Sequence, residues 1–290
     1  MRRTIENATL LVEIADDGAE LSRIYDKVND REIIWNGDAA YWGRHAPVLF
    51  PNVGKNFANK YIHQGTEYAT KQHGFARDTA FTCAAQTGYS VTHEMKSTEE
   101  TRKYFPFDFL LRITHTLEEN RLSVSWNIVN TGKEEMHFTI GGHPAFQFEN
   151  IEDTKDWYKL KFPGKDALVY RLLDTETGTA REKLYELKLE KESCALSDEM
   201  FEKDALIFDG GQISDVILCR KDGTALVEMT CPGFPNFGIW SVQGAPFVCL
   251  EPWMGRCDDY GFAGEISTKP GIISLFAGEV FEKSYTIKIW

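Results

Sequence analysis

The sequence predicts an all-β protein built as a large antiparallel β-sandwich, and three features carry that prediction. Apolar residues recur at every second position in several separate runs. Short Asp-Gly or charged turn signals divide those runs, and no stretch shows a sustained helical period. At 290 residues the chain is long for one domain, but all-β sandwiches routinely reach ~200–250 residues as single units. With no internal repeat, no low-complexity tract and no Pro/Gly/Ser-rich linker, a single domain over residues 1–290 is the expected organisation.

Taken in order, the first hairpin signal is Asp17-Gly18, since Asp-Gly supplies the positive φ angles of a two-residue turn. Phe107, Phe109, Leu111, Ile113 and Leu117 then alternate with polar residues. After the polar stretch Glu118-Glu119-Asn120-Arg121, the alternation resumes in Leu122-Ser123-Val124-Ser125-Trp126-Asn127-Ile128. This is the pattern of two adjacent half-buried strands joined by a hairpin. The one helical candidate is Ser197-Asp198-Glu199-Met200-Phe201-Glu202-Lys203, short and opened by a Ser/Asp start signal. A second Asp-Gly pair, Asp222-Gly223, separates Val216-Ile217-Leu218-Cys219 from Ala225-Leu226-Val227, and Tyr285, Ile287 and Ile289 form a closing strand.

Composition bounds the function. Hydrophobic residues make up 42% and aromatics 13% of the chain, enough for a core and unlike a disordered chain. A formal charge of −12 repels phosphate backbones and anionic lipid, so neither nucleic acid nor a membrane is an expected partner, and a neutral small ligand suits the chain better. The apolar run Ala8-Thr9-Leu10-Leu11-Val12 is too short for a signal-peptide core or a membrane span, which leads to the expectation of a cytoplasmic protein. Six scattered cysteines without a C-x-x-C pair are expected to be free thiols rather than metal ligands or disulfides.

Chemistry concentrates in three places. In Gly141-Gly142-His143-Pro144-Ala145-Phe146 the glycines let the backbone pass close to another group, and the proline restricts His143 to extended conformations. The bland alternative is a turn histidine bonded to a carbonyl. In Pro246-Phe247-Val248-Cys249-Leu250-Glu251-Pro252-Trp253 a carboxylate ends an apolar run that reads as a strand covered on both faces, out of character with that run unless it faces water. The loop Lys71-Gln72-His73-Gly74-Phe75-Ala76-Arg77-Asp78 encloses a third candidate, with Arg77 and Asp78 read as a surface pair. Upstream, Arg44 precedes an apolar run bracketed by Pro47 and Pro51 and is aimed toward a cleft, while His45 reads as structural.

Together and in this linear order, these segments and Asp204-Ala205-Leu206-Ile207-Phe208 resemble the aldose 1-epimerase superfamily, most closely its branch of lactose-operon epimerase-like proteins. The resemblance implies a galactose-mutarotase-like supersandwich whose cleft binds a monosaccharide. It implies Glu251 as general base, His143 as general acid, and His73, Arg44 and Asp204 as sugar contacts, with Asp209 as the alternative to Asp204. It implies no metal and no organic cofactor, and leaves a homodimer possible. The chain departs from the better-known galactose mutarotases around the acid histidine, where Gly-His-Pro replaces an Asn-His-Ser/Thr pattern.

On this reading Glu251 is ionised with an ordinary pKa, His143 is protonated, and the two flank one pyranose from opposite sides. A hexose 6-phosphate, recognised by Arg44, Lys55, Lys71 and Arg77, is the alternative substrate. A non-catalytic sugar-binding protein is the alternative outside enzymes. Asp204 with Glu251 is a formal glycosidase pair, and two histidines with a glutamate are a formal metal set lacking any H-x-H or H-x-x-E spacing.

Overall fold

The structure, a computed structural model, describes residues 1–290. It is 49% strand and 7% helix, so the all-β expectation holds. Two antiparallel sheets dominate. The nine-stranded sheet runs, edge to edge, Ser193–Ala195, Tyr158–Lys161, Asp215–Arg220, Ala225–Thr230, Val280–Ile289, Arg121–Asn130, Phe109–Glu118, Ser90–Lys96 and Thr82–Gln86. It contains the hairpin read from the sequence, next to its central strand Val280–Ile289. Phe109–Glu118 and Arg121–Asn130 pair without a slip from Phe109 opposite Asn130 to Glu118 opposite Arg121. Leu122, Val124, Trp126 and Ile128 on the inner face are all buried, because a period of two sends alternate side chains to one side of the pleat. The turn narrows to Glu119-Asn120, with Glu119 in the left-handed region at φ 50°.

The Asp17-Gly18 and Asp222-Gly223 signals fall between Leu10–Ala15 and Leu21–Asp26, and between Asp215–Arg220 and Ala225–Thr230. Two elements differ from the sequence reading. The segment at Ser197 forms only one 3-10 turn, Glu199–Phe201, whose N-terminus has no side-chain cap. The α-helix of the chain is instead Glu99–Arg102, capped reciprocally by Thr98 and Thr101. Four residues are too few to show a helical period, so the cap was its only signal.

The second sheet contains Glu251 and borders His143. Its strands are ordered Ala180–Lys188, Ala167–Leu173, Leu206–Phe208, Asn236–Trp240, Phe247–Met254, Ile140–Gly142 and Val48–Leu49, with Ala145–Gln147 also paired to Phe247–Met254. Between the sheets lies one cluster of 56 buried residues running from Ile5 to Ile289, so both ends of the chain feed the same apolar interior.

All six cysteines are free; Cys83 and Cys194 are half-buried and the other four buried. Burial pushes the Cys194 thiol up to about 11, which leaves little of the reactive thiolate near neutrality. A thiol reagent added to native protein is therefore expected to modify Cys83 promptly and Cys194 slowly, and to reach six only after denaturation. A count below six in denatured, unreduced protein would reveal a disulfide.

Candidate active site

The strand Phe247–Met254 meets two short partners along one edge. Cys249 pairs with Ala145 and Trp253 with Gly141, while Ile140–Gly142 and Ala145–Gln147 are separated by His143-Pro144. The break faces Leu250-Glu251-Pro252. There Pro252 has no N–H to leave unpaired, and Leu250 N–H donates to the Pro144 carbonyl at 3.2 Å. The strand is thus longer than the sequence reading allowed, and Glu251 lies within it, buried, rather than at a wet end. Two X-Pro pairs opposite each other open the ladder and bring His143 and Glu251 together: His143 Nε2 lies 3.3 Å from Glu251 Oε2.

Aromatic packing fixes the histidine. Its ring stacks on Trp42 at 4.9 Å and meets the edge of Trp240 at 5.6 Å, and buried Trp35 holds Trp42 by donating its indole N–H to the Trp42 carbonyl at 2.8 Å. Trp253 needs glycine on both sides. A Cβ at Gly141 would lie 2.5 Å from its indole and one at Gly238 2.3 Å. Gly142 makes the same allowance on the other face, where a Cβ would stand 2.8 Å from the Tyr285 hydroxyl.

These groups border a cavity of about 330 Å³, at the small end of the ~300–1,000 Å³ typical of ligand pockets. Two wider surface hollows of about 1020 and 830 Å³ contain neither His143 nor Glu251, so of the three it is the smaller one that the pair borders. All five residues expected from the sequence, Arg44, His73, His143, Asp204 and Glu251, line it.

His73 sits in the left-handed region at φ 65°. Its Nδ1 accepts the Gly54 N–H at 3.1 Å. A backbone N–H can only donate, so Nδ1 is unprotonated and a neutral His73 presents Nε2–H as a donor. Burial, with His143, Arg77 and Arg44 nearby, holds its pKa well below the ordinary value. Asp204 is exposed at the cavity and accepts its neighbour's N–H, from Ala205, at 2.7 Å. Asp209 does not line it: Arg171 at 2.7 Å, Arg256 at 2.9 Å and Asn236 at 2.8 Å occupy its oxygens.

Arg44 donates to Asp78 at 2.7 Å. The expected Arg77–Asp78 pair is therefore replaced by an Arg44–Asp78 pair, and Arg77 turns inward. Its Nη2 donates to the Gln72 carbonyl at 2.8 Å, while its Nε is buried without a partner. His45 lies outside the cavity, where its backbone N–H donates to Glu20 at 2.7 Å. Arg77, read from the sequence only as a surface partner of Asp78 or a member of a phosphate pocket, also lines the site, as do Trp42, Gln72, Trp240 and Trp253, which had no assigned role there. An abundance of tryptophan was the only hint for three of them.

The charge states differ from the sequence expectation. Burial pushes the Glu251 carboxyl well above its ordinary value, and the Asp204 charge adds to the rise. Burial pulls the His143 imidazole down to about 3. Each group alone prefers to be neutral, because the dry wall strips the hydration that either charge would need. The empty pair therefore holds its one proton on Glu251, the reverse of the expected ion pair. The expectation that the two groups face each other across a sugar is also corrected, since they stand side by side.

Residues 1–262 match the family described as aldose 1-epimerase. The chain is 30% identical over 296 residues to Protein LacX, chromosomal, of Lactococcus lactis subsp. lactis, covering 98% of each. It is also similar to the structure of a galactose mutarotase related enzyme from Lactobacillus acidophilus, with 32% identity, a TM-score of 0.94 and coverage of 100% of this chain and 97% of that one. A galactose mutarotase-like protein from Lactobacillus casei ATCC 334 superposes with a TM-score of 0.92 at 29% identity, covering 100% of both chains.

The glycine floor under Trp253 yields a test. Gly238→Ala forces the indole or the strand to move, and the expected cost is about 1–3 kcal/mol of stability, as for overpacked cores, with a shift in tryptophan emission. Gly88→Ala, where a Cβ meets nothing within 4 Å, is the control. Urea denaturation curves that coincide for both variants would show that the floor is not tight.

Proposed function

The chain belongs to the aldose 1-epimerase family of isomerases, and we propose that it interconverts the α and β anomers of a free hexose by acid–base opening of the pyranose ring. The observation that carries this reading is the 3.3 Å contact between His143 Nε2 and Glu251 Oε2 on the wall of a cavity about 330 Å³ in volume. The C1 hydroxyl and the ring oxygen of a hemiacetal are bonded to the same carbon. An acid and a base standing side by side can therefore reach both, with no need to enclose the ring.

The proton count closes. Transfer of the single proton from Glu251 to His143 across their contact gives carboxylate and imidazolium without changing the charge of the site, and their mutual attraction offsets much of the desolvation cost. Glu251 then takes the C1 hydroxyl proton while His143 gives its proton to the ring oxygen. The C1–O5 bond breaks and C1 becomes an aldehyde. This returns the pair to the neutral state that burial favours, so the dry wall assists ring opening. Rotation about C1–C2 and the reverse transfers close the ring on the other face. Each positioned proton donor or acceptor typically contributes ~10²–10⁴-fold.

The remaining walls suit a sugar. In this reading His73 offers a donor through Nε2, Asp204 accepts from hydroxyls, Arg44 donates, and Trp42, Trp240 and Trp253 cover C–H faces of the ring. Arg44 is already neutralised by Asp78, which favours an uncharged substrate. Arg77, a cation beside the cavity with a free Nε, is the observation that favours an anionic ring substituent, so hexose 6-phosphates are the second substrates to assay.

Polarimetry of freshly dissolved α-galactose, α-glucose and glucose 6-phosphate is expected to show accelerated mutarotation of at least one free hexose. Glu251→Gln and His143→Asn should each lower kcat by about 10²–10⁴. The double variant should lose little more, because the two groups act as a unit. Full activity in both single variants, with sugar still bound, would leave a sugar-binding protein in place of an enzyme.

Stability should move the other way. Unfolded Glu251 ionises near its ordinary 4.5, whereas the folded group ionises only well above that. Between those values unfolding releases a proton, so its contribution to stability is lost as pH rises through the window. Glu251→Gln has no such loss. Its Tm relative to the parent should be higher at pH 7 than at pH 4.5, and a difference that falls with pH would contradict the buried neutral acid.

A further inference from the structure

Glu251 shares its strand face with a residue that the proposed reaction does not use. Cys249 lies two positions upstream, and a strand sends residues i and i+2 to the same side. The Cys249 thiol, the His143 imidazole and the Glu251 carboxylate each bring one ligating atom to within 4.8 Å of the others, and all three residues are buried. Glu251 Oε2 makes no well-aligned hydrogen bond although the residue is only 1% exposed and His143 Nε2 lies 3.3 Å away, which leaves a lone pair of the buried oxygen for a ligand shared with the nitrogen and the sulfur.

We propose that His143, Cys249 and Glu251 form a binding site for one thiophilic divalent cation of the zinc and cadmium class, and that its occupation removes the acid and the base together. The cavity is the entry path, since His143 and Glu251 line it and the buried Cys249 brings its sulfur within 4.8 Å of both.

The geometry suits the ion. Ligands about 2.0–2.3 Å from a tetrahedral zinc stand about 3.3–3.7 Å from one another, and His143 and Glu251 are already 3.3 Å apart. The sulfur lies within 4.8 Å of both and must come up to about 1 Å nearer to complete the set. Cysteine as thiolate and glutamate as carboxylate supply two negative charges against two positive, with neutral imidazole as the third donor and a fourth position open to the cavity. The two protons displaced from thiol and carboxyl leave for the solvent, so the charge of the site is unchanged. The backbone fixes all three donors before any ion arrives, two on one strand and one on the facing break, so little ordering opposes binding.

This inference rests on the acid–base reading only for its inhibitory consequence, and the experiment separates the two. Reduced, chelator-free full-length protein is titrated with Cd²⁺ while the ultraviolet thiolate-to-cadmium charge-transfer band is followed, and mutarotation is assayed in parallel. The expected result is one equivalent bound with the band, activity lost with occupancy and restored by EDTA, and weaker binding when hexose is present. Cys249→Ala and Cys249→Val should lose the band. They should also require about tenfold more Cd²⁺ or Zn²⁺ for half-inhibition of their own metal-free activity, at least the loss typical when a supporting partner of a metal site is removed. Cys257→Ala, at a cavity thiol outside the cluster, should keep the band. A band that persists in both Cys249 variants, or no band in the parent, overturns the metal site. A Cys249-dependent band in a protein without mutarotase activity upholds the site and overturns the function proposed above.

Discussion

The structure turns on one constraint: a carboxylic acid and an imidazole are held in contact, out of water, where a β-ladder has been interrupted. Pro144 and Pro252 make the interruption possible. A glutamate within a fully covered strand would ordinarily force an unpaired charge into the interior. Here the facing strand breaks at His143-Pro144, and the opening supplies both a partner for the carboxyl and a wall for the cavity. Trp42 stacks on the imidazole while Trp240 and His73 pack nearly perpendicular to it, so the ring has little freedom to leave the contact.

Burial does two opposed things in such a site. It makes each charged state costly, which is why Glu251 ionises high and His143 low, and it makes the attraction between the two charges strong once both form. The pair is thereby poised between two arrangements of one proton that differ in charge separation but not in total charge. A surface pair would settle in the charged form and stay hydrated there. A buried pair can pass its proton in either direction, as the proposed opening and closing of a sugar ring would require of its acid and base.

Much of this was legible in the sequence, and the parts that were not share a cause. Alternation in residues 107–128, the Asp-Gly turns and the closing strand gave the fold class, because side-chain period is a local property. The five residues expected at the site meet there because they stand at marked positions: before a proline at His143 and Glu251, beside a glycine at His73, ahead of an apolar run at Arg44. Local pattern did not reveal what depends on distant neighbours. Nothing near Arg77 signals that Arg44 would claim Asp78 and turn Arg77 inward. Nothing near Trp42 marks it as the plate on which His143 lies. That Asp204 and not Asp209 lines the cavity became visible only with the structure, in which Arg171, Asn236 and Arg256 enclose the latter. Desolvation is likewise a three-dimensional quantity, and ordinary solution pKa values misplaced the proton.

The strand that delivers Glu251 also governs His73, although the two are far apart in sequence. Beyond Met254 the chain turns through Gly255, at φ 87°, and Asp258 enters a buried ion pair with Lys269 at 2.9 Å while accepting from Asn56 and from the Phe57 N–H. Such a pair adds little net stability, but breaking it would strand a charge, so it fixes position strongly. It also holds Cys257 against Gly54, where a Cβ would come within 2.5 Å of the Cys257 side chain. Gly54 in turn donates to His73 Nδ1 and accepts from the His73 backbone. The proton on His73 that faces the cavity is therefore set by a relay that begins where the strand Phe247–Met254 ends. Glutamate, cysteine and the tautomer of a remote histidine are placed by one continuous stretch from Phe247 to Asp258, and a displacement of that stretch would disturb the His143–Glu251 contact and the His73 tautomer together.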